Sequence, residues 1–379
     1  MKKKEHMVLT KQPLAGGSLA NFIHLIKKNG IHAKYLPRAL YIIFMTFFTL
    51  PLRIFEKKHF EKKVMKTEIK KDPIFIIGHW RSGTTYLHNI MGHDKNLGYV
   101  STFQTMVPGV FLGGEKIFKP IMGKHLPKTR PMDNVAMAPD FPYEEEYAIA
   151  NLSPYSFYHG WYFPKRMREY YKKFVLFEDV PEGIIKKWKE TYLYLIKKTT
   201  LKWGGRQLVL KNPPNTGRIK LLLEIFPNAK FIHIYRNPYE VYLSTLKLYE
   251  KVIAIYTLQE ITKEEMEDCI LEFYPQMLKK FFEEKKLIPK GNLAEVRYED
   301  FIKNPLEELE RIYDELSLPG FQESKEVFKK YIQSQSNYEP STYVIDENVK
   351  EKVETLWKIG FKEWGYAPEI LNQRNIVER

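Results

Sequence analysis

The sequence is almost free of cysteine, with Cys269 alone among 379 residues. One thiol excludes an intramolecular disulfide and every metal site that is built from several cysteines. The HExxH spacing of a zinc-binding helix is also missing, so the sequence predicts no metal. A chain with so little cysteine is typical of a reducing compartment, and we expect a cytoplasmic protein, at the membrane surface if its N-terminal segment binds lipid.

Long apolar runs are missing as well. The apolar run from Ala39 to Leu50 is shorter than the roughly 20 residues that a helix needs to cross a bilayer. Pro51 interrupts it, and Arg38 and Arg53 bracket it. Three interpretations are open at this stage: a helix packed into a core, a helix lying in a membrane interface, and a membrane span.

Acidic residues are scarce in the first 71 residues, which hold 16 Lys and Arg against 4 Asp and Glu. This segment therefore carries +12 of the formal charge of +14, and the remainder of the chain carries only +2. A nearly neutral body argues against nucleic-acid binding, whereas the basic segment predicts an anionic partner such as lipid headgroups. We expect a basic, partly apolar helical segment over 1–71 with peripheral membrane contact, and one main domain over 72–379.

The stretch from Pro73 to Met91, PIFIIGHWRSGTTYLHNIM, combines a buried strand, a tight loop and the start of a helix. The loop has the G-x-x-x-x-G spacing of a phosphate-binding P-loop, but Thr84 stands where an NTPase has its lysine. Such a loop is suited to a smaller phosphate-like anion, which the N–H groups at the helix start would bind. A plain turn that joins a strand to a helix is the alternative. The other donors of the loop are Arg81 and the hydroxyls of Ser82, Thr84 and Thr85.

Three further segments are predicted as strands: Gln207 to Leu210, Ala229 to Tyr235 and Asn292 to Arg297. Helices alternate with them, which predicts an α/β fold with a central parallel sheet. Ligands of such sheets bind beyond the C-terminal ends of the strands, so Lys211 lies where it can meet the bound anion. A buried, ion-paired lysine is the alternative.

Three stretches between the loop and the second predicted strand contain residues that could cover or line the site. Ser101 to Asp140 is rich in Gly, Pro and Met, and we expect an irregular excursion that covers the site. Pro142 to Glu146 opens a predicted helix whose acids are either a solvated helix start or include a general base, with Glu144 as the candidate. The aromatic run from Tyr155 to Phe163 is predicted as core, with the wall of an apolar pocket as the alternative.

The Arg-Ser-Gly-Thr-Thr string after a strand resembles the phosphosulfate loop of the sulfotransferases that use 3′-phosphoadenosine 5′-phosphosulfate (PAPS). The longer string GHWRSGTTYLH resembles a bacterial branch of that superfamily, and the resemblance covers roughly Asp72 to Tyr366. It implies a three-layer P-loop fold like that of nucleotide kinases, with 72–379 as the sulfotransferase domain. Many relatives have Lys at the place of Arg81, and the family's basic Arg-Lys-Gly-type element near the C-terminus is not evident here.

The resemblance implies transfer of a sulfuryl group from PAPS to the hydroxyl of a small-molecule or lipid acceptor, without a metal. The residues that it places on the cofactor are Arg81, Ser82, Gly83, Thr84 and Thr85 of the loop, with Arg236 and Ser244 on the 3′-phosphate. The residues that it implies in catalysis are Arg81, Lys211 and Glu144. His79 is a further catalytic candidate, because its place next to the loop would let it contact the sulfuryl oxygens. A P-loop kinase for a small molecule or nucleotide, and a non-catalytic membrane-associated nucleotide-binding protein, are the alternative functions.

Overall fold

The computed structural model describes residues 7–130, 135–335 and 346–366. The strands are β1 Ile74–Ile77, β2 Leu97–Gly98, β3 Gln207–Lys211, β4 Lys230–Tyr235 and β5 Leu293–Arg297. The first helices are α1 Leu19–Asn29, α2 Leu36–Phe48, α3 Leu50–Lys66, α4 Thr84–Met91, α5 Thr102–Met106, α6 Glu115–His125, α7 Glu145–Leu152, α8 His159–Tyr162 and α9 Met167–Phe174. They are followed by α10 Glu182–Lys202, α11 Ile219–Ile225, α12 Pro238–Tyr256, α13 Lys263–Glu284, α14 Tyr298–Lys303, α15 Pro305–Glu315, α16 Phe321–Ser334, α17 Glu347–Leu356 and α18 Lys358–Trp364.

The five strands form a parallel sheet in the order β2–β3–β1–β4–β5. Ile77 at the end of β1 lies opposite His233 of β4, and Tyr235 at the end of β4 lies opposite Arg297 of β5. Every residue of the central strand β1 is buried, whereas β5 at the edge alternates buried and half-buried positions. This is the burial expected when helices cover the centre of a parallel sheet. The predicted α/β fold with a central parallel sheet is confirmed.

The predicted strands form to within a residue at each end, whereas the helix predicted to open at Pro142 begins only at Glu145. The long helix α10 begins after Pro181, and its C-terminal end is followed by Gly204 and Gly205, both with positive φ. Local patterning decides these elements because each has either a strand-length apolar run or an uninterrupted helical period. The Ser-, Asn-, Tyr- and Pro-containing stretch over 334–341 predicts a loop, and this stretch lies largely outside the described residues.

The irregular excursion predicted over 101–140 is wrong in part, because this stretch contains helices α5 and α6. Ser101 and Gln104 form a capping box at the start of α5, each side chain bonding the other's backbone N–H. Gly114 directly precedes α6 and Pro127 follows it, so these breakers border the helix instead of preventing it. Pro120 lies inside α6, where the sequence rule expects a break.

The chain divides into two compact units that alternate along the sequence. The first unit comprises Met1–Lys71, Gly98–Leu210 and Leu248–Thr262. The second comprises Asp72–Leu97, Lys211–Lys247 and Lys263–Arg379. The N-terminal segment thus shares a unit with later parts of the chain. The predicted division of function between an N-terminal segment over 1–71 and a main domain over 72–379 stays a prediction.

The aromatic residues of the first unit form its core. Phe157, Tyr158 and Trp161 of the predicted aromatic run are almost fully buried, and the rings of Tyr158 and Trp161 stack with centroids 4.0 Å apart. Stacked, buried aromatics contribute large apolar area together with defined geometry. The prediction that this run is core is confirmed.

Helix α2 packs one of its faces inside the first unit. Arg38 is buried there, and its guanidinium donates hydrogen bonds to the carbonyls of Thr257 at 2.6 Å and Ala254 at 3.1 Å. Among the described residues, no single helix has the length and apolarity to cross a bilayer; Ala33–Phe48 and Leu50–Lys66 reach them only together, across a 42° bend.

Candidate active site

The loop between β1 and α4 lies in the second unit and has an unusual backbone. Gly83 has φ of +99°, and a Cβ at this position would lie 2.3 Å from the ring of Tyr298. Arg81 has φ of +73°, a left-handed conformation that side-chain-bearing residues seldom adopt. Such backbone strain persists only where surrounding contacts hold it, and it concentrates at functional sites.

The contacts that hold Arg81 come from two residues that the sequence places far from the loop. The Arg81 Nε donates a 2.7 Å hydrogen bond to the hydroxyl of Ser244 on α12. The backbone carbonyl of Arg81 accepts a hydrogen bond of 3.3 Å from Nη1 of Arg236, which follows β4. The structure therefore brings Arg81, Arg236 and Ser244 together, as the resemblance predicts for residues that share one ligand.

Arg236 is fixed from several sides. Its guanidinium forms an ion pair of 2.6 Å with Glu240, one helical turn further along, and lies 4.2 Å from the centroid of the Tyr298 ring. A guanidinium that contacts an aromatic ring and a carboxylate together is restricted in its orientation. Arg236 is thus a fixed cation beside the loop rather than a mobile surface side chain.

A further cation reaches the loop helix from β3. Lys211 is almost fully buried, and its Nζ donates a 3.2 Å hydrogen bond to the hydroxyl of Thr85 in the first turn of α4. Ser82 and Thr84, which precede Thr85 in the same loop, also carry hydroxyl groups and are buried. Positive charge, hydroxyl groups and the start of a helix are therefore combined within this unit, which is the donor set suited to an anion.

His79 precedes Arg81 in the loop and is buried. Its Nδ1 lies 2.9 Å from the carbonyl oxygen of Trp80, which can only accept, so Nδ1 carries the proton and Nε2 the lone pair. Burial lowers the pKa of His79 to about 4, against a smaller opposing effect of that hydrogen bond. His79 is therefore neutral at pH 7, with the ring of Tyr274 packed edge-on at 5.0 Å.

Glu144 lies in the first unit, directly before α7. One of its carboxylate oxygens accepts a hydrogen bond from the hydroxyl of Tyr158. The next two acids are buried: Glu145 accepts from the hydroxyl of Tyr192 at 2.8 Å, and Glu146 from that of Ser156 at 2.8 Å. The expectation of a solvated helix start is wrong for these two, because both carboxylates are buried and accept hydrogen bonds from side chains inside the unit.

Two residues beside the predicted site were not predicted as part of it. Tyr298, the first residue of α14, contacts both Gly83 and Arg236. Glu240, which pairs with Arg236, received no role. The available signal was the spacing of four residues across the start of α12, because oppositely charged side chains at that spacing often meet.

The remaining ionisable residues provide no cluster for a metal. Within residues 7–130, 135–335 and 346–366, no three His, Cys, Asp or Glu side chains converge so that they could hold an ion.

The sequence of this chain matches a family of known proteins. The family model described as "Sulfotransferase family" matches residues 73–323 of this chain. The chain belongs to the sulfotransferase family. The predicted recognition is thereby confirmed and the protein is an enzyme of the sulfotransferase class, so the kinase and the non-catalytic binding protein are not favoured.

Two curated relatives cover nearly the whole sulfotransferase. The omega-hydroxy-beta-dihydromenaquinone-9 sulfotransferase Stf3 of Mycobacterium bovis is 30% identical over 367 residues, which cover 96% of this chain and 94% of that protein. Stf3 of Mycobacterium tuberculosis gives the same values.

Solved structures agree with the fold. Sulfotransferase STF9 from Mycobacterium avium has a TM-score of 0.65 at 14% identity and covers 92% of this chain and 96% of its own. Sulfotransferase STF1 from Mycobacterium tuberculosis has a TM-score of 0.62 at 17% identity and covers 89% and 91%. At these identities the likeness shows the fold alone.

Proposed function

We propose that this sulfotransferase moves a sulfuryl group from PAPS to a hydroxyl group of a lipid acceptor. The observation that carries the proposal is the contact of Arg81 with both Ser244 and Arg236, three residues from separate segments that the resemblance assigns to one nucleotide. PAPS itself is supported by the family, whose members are described as sulfotransferases. The donor set of the second unit, with its cations and hydroxyls, fits the phosphate and sulfate groups of such a molecule.

The residues of the loop would hold the donor, each with a distinct part. The N–H groups at the start of α4, with the Ser82, Thr84 and Thr85 hydroxyls, would bind the phosphosulfate. Arg236 and Ser244 would bind the 3′-phosphate, with a bidentate guanidinium contact and a hydroxyl. Gly83 keeps the backbone turn that the loop needs, because a side chain at this position would strike Tyr298.

When bound, PAPS supplies an activated sulfuryl group, whose bond to the 5′-phosphate oxygen breaks as the acceptor oxygen bonds to sulfur. Lys211 and Arg81 would stabilise the negative charge that is left on the phosphate, and preorganised charge of this kind is usually the largest catalytic term. The proton of the acceptor hydroxyl would pass to a carboxylate or imidazole of this chain.

Two residues compete for this proton. Glu144 offers a carboxylate that the hydroxyl of Tyr158 orients. His79 offers Nε2, because Nδ1–H is committed to the carbonyl of Trp80. Removing a general base lowers kcat by roughly 10²–10⁴-fold. We expect Glu144→Gln to produce this loss and His79→Gln a smaller one; single-turnover rates with saturating PAPS compare them, and the reverse ranking would assign the base to His79.

The acceptor class comes from the curated relatives, whose printed name is that of an enzyme acting on a hydroxylated menaquinone derivative. We propose a hydroxyl-bearing, long-chain lipid as the acceptor here as well. Peripheral membrane contact through the N-terminal segment belongs to the same proposal, because such an acceptor resides in a bilayer. The cytoplasmic location stays a prediction.

Nucleotide titration tests the donor half of the proposal. We expect 3′,5′-phosphoadenosine to bind far more tightly than ATP–Mg²⁺, because the loop lacks the lysine of an NTPase. Arg236→Gln should weaken binding of 3′,5′-phosphoadenosine by about 10–100-fold, the value of a charge-assisted contact. Arg166→Gln, at an exposed ion pair of the first unit, is the matched control. Preference for ATP–Mg²⁺ would contradict the proposed donor.

Mass spectrometry tests the acceptor half. The enzyme is incubated with isotopically labelled PAPS and a whole-cell extract, and the lipid and water-soluble products are searched separately for hydroxyl compounds that have gained one labelled SO₃ group. Lys211→Met protein is the control, since it should bind lipid but lack transfer. Labelled products confined to water-soluble compounds would contradict a lipid acceptor and leave the donor assignment intact.

A further inference from the structure

Helix α2 exposes an apolar face opposite to the one that it buries. Its exposed apolar residues recur at spacings of three and four, so they share one side of the helix. They are Leu36, Leu40, Phe44, Phe47 and Phe48, each 50–64% exposed. Ala39, Ile42 and Thr46 point to the packed side and are fully buried. The described residues of the chain therefore leave several large aromatic side chains of one helix face exposed to solvent. Isolated exposed apolar residues are ordinary on a folded surface, but a group on one face marks an interaction site.

The apolar face continues past the bend into the first turns of α3. Ile54 is 59% exposed and Phe55 50% exposed, and the rings of Phe44 and Phe48 stack with centroids 6.2 Å apart just before the bend. These two residues of α3 and the five exposed residues of α2 are called the apolar ridge below. The ridge thus gathers seven exposed apolar side chains within 20 consecutive residues of the first unit.

The ridge is held in place by polar contacts on its inner side. Arg38 is anchored to the carbonyls of Thr257 and Ala254. Arg53, beside the bend, donates hydrogen bonds to the backbone carbonyls of Thr46 and Gly17. A helix fixed in this way presents its aromatic residues without further ordering, so little conformational entropy is lost when a partner covers them.

The charge around the ridge identifies the partner. Five exposed lysines follow it on α3: Lys57, Lys58, Lys62, Lys63 and Lys66. The half-buried Glu61 lies among them, and its carboxylate accepts a 3.1 Å hydrogen bond from the hydroxyl of Tyr194, so positive charge prevails on this rim. Glu56, the acid next to them, is buried in an ion pair with Lys198 and so adds no negative charge to the rim. The partner must therefore accept aromatic side chains and also carry negative charge. A second copy of this chain would bring the same positive rim, whereas an anionic lipid surface matches both properties.

The length of α2 fixes how it would meet such a surface. Thirteen residues at about 1.5 Å per residue give roughly 20 Å, which is shorter than the ~30 Å hydrocarbon core of a bilayer. The bend then turns α3 and its lysines away from the axis of α2. A helix of this length with one apolar face lies along the interface, with its aromatic rings below the headgroups and the lysines among them.

We propose that the apolar ridge is a membrane-surface anchor that lies in the interface of an anionic bilayer. The inference deepens the proposed function, because it names the surface through which the enzyme would reach a lipid acceptor. It does not depend on that function for its test, since vesicle binding is measured without donor or acceptor.

The test is co-sedimentation of the full-length protein with vesicles of phosphatidylcholine alone and of phosphatidylcholine mixed with phosphatidylglycerol. We expect binding to the anionic vesicles, and a loss of at least about tenfold in the Phe44→Ser, Phe47→Ser, Phe48→Ser triple variant. The matched control changes three exposed apolar residues of the second unit, Leu287→Ser, Ile302→Ser and Val327→Ser, and should bind as the unaltered protein does. Equal binding by the two triple variants, or no binding by the unaltered protein, would overturn the proposal.

Fluorescence measures the depth of insertion independently. A Phe48→Trp variant should show a blue-shifted emission and quenching by lipids brominated on the acyl chain, and no quenching would overturn an anchor at this face. Sedimentation equilibrium distinguishes self-association: a dimer that the Phe44, Phe47 and Phe48 triple variant dissociates, with no difference in lipid binding, would assign the ridge to a second copy. Binding of 3′,5′-phosphoadenosine should be equal in all variants, so failure of the anchor and failure of the donor site are separate results.

Discussion

Single residues of the loop carry constraints that their neighbours in sequence do not reveal. Gly83 combines a left-handed backbone with contact to Tyr298, and Arg81 adopts a left-handed backbone despite its side chain. The position of Arg81 is maintained by Ser244 and Arg236, which are more than 150 residues away. The residue types of the loop are thus set partly by distant contacts.

Gly83→Ala should therefore impair both stability and donor binding. Gly291 is the matched control, since it has a similar φ of +84° but open space where a Cβ would be. Both alanines should cost about 1 kcal/mol for the backbone conformation, and only Gly83→Ala should also displace the Tyr298 ring and weaken 3′,5′-phosphoadenosine binding. Urea unfolding and titration measure the two effects; equal behaviour of the variants would show that the ring contact is unimportant.

Two buried histidines predict how stability depends on pH. Burial lowers the pKa of His79 and of His159 to about 4, below the ordinary value of 6.5. Between these values the unfolded chain binds more protons than the folded protein, so stability is complete above pH 6.5 and is lost as pH falls toward 4. Each histidine would contribute up to about 3 kcal/mol of this loss.

Urea unfolding at pH 7 and pH 5 measures the effect. His159→Gln removes one of the two groups and should flatten the dependence, while its cost at pH 7 is set by the lost hydrogen bond from Nε2 to the carbonyl of Ser153. His125→Gln, at an exposed histidine of α6, is the control and should leave the slope unchanged. A stability that rises between pH 6.5 and 5 would contradict the assignment.

At the scale of elements, a buried ion pair joins α3 to α10. Lys198 and Glu56 are both almost fully buried; Lys198 also donates to the carbonyl of Pro108, and Glu56 accepts from the N–H of Gly113 at 2.7 Å. Removing one partner of such a pair leaves an uncompensated buried charge, whereas removing both often costs little.

Lys198→Met alone should therefore lower the free energy of unfolding by about 3–5 kcal/mol. The double variant with Glu56→Gln should recover a large part of this loss, because glutamine keeps an acceptor for Gly113 without a charge. Urea unfolding of the two single variants and the double variant closes the cycle. Additive losses would show that the pair is not coupled.

The strands and long helices of this chain could be predicted because their apolar residues follow one period from end to end. Helix α6 was missed because Pro120 lies inside it and Gly113, Gly114 and Pro127 surround it, so the breakers outweighed the helical spacing of its apolar residues. Helix α5 carried a readable signal in the Ser101–Gln104 capping box, which composition alone obscured. Within the site, the family resemblance predicted that Arg81, Arg236 and Ser244 serve one ligand, and the Arg236–Glu240 pair had a signal in its spacing of four residues. The support from Tyr298 depends on three-dimensional packing that no local pattern encodes.

At the scale of the whole molecule, the two units interleave along the chain, and this too has no local signature. Asn21 in α1 donates a 2.9 Å hydrogen bond to the carbonyl of Ala150 in α7, and Arg38 reaches Thr257. These contacts join the N-terminal segment to parts of the first unit that come more than 100 residues later. The basic segment is structurally part of that unit.

Deletion of residues 1–71 should therefore damage the first unit rather than release an appendage. Buried surface against α7 and α12 would be exposed, so we expect a low yield of folded protein and strong binding of the dye ANS. The triple serine variant of Phe44, Phe47 and Phe48 is the matched control, because it alters exposed residues only, and it should fold normally. A truncated protein with native yield and no dye binding would show that the segment is dispensable for folding.

The lone cysteine makes the second unit measurable by chemistry. Cys269 is buried in α13, and no other thiol exists in the chain. A maleimide can therefore attach only when α13 opens, so the rate at which one adduct appears counts the opening events of that unit. Saturation with 3′,5′-phosphoadenosine should lower the rate of maleimide modification if the nucleotide binds only the closed form of this unit. An unchanged rate would show that the nucleotide binds elsewhere.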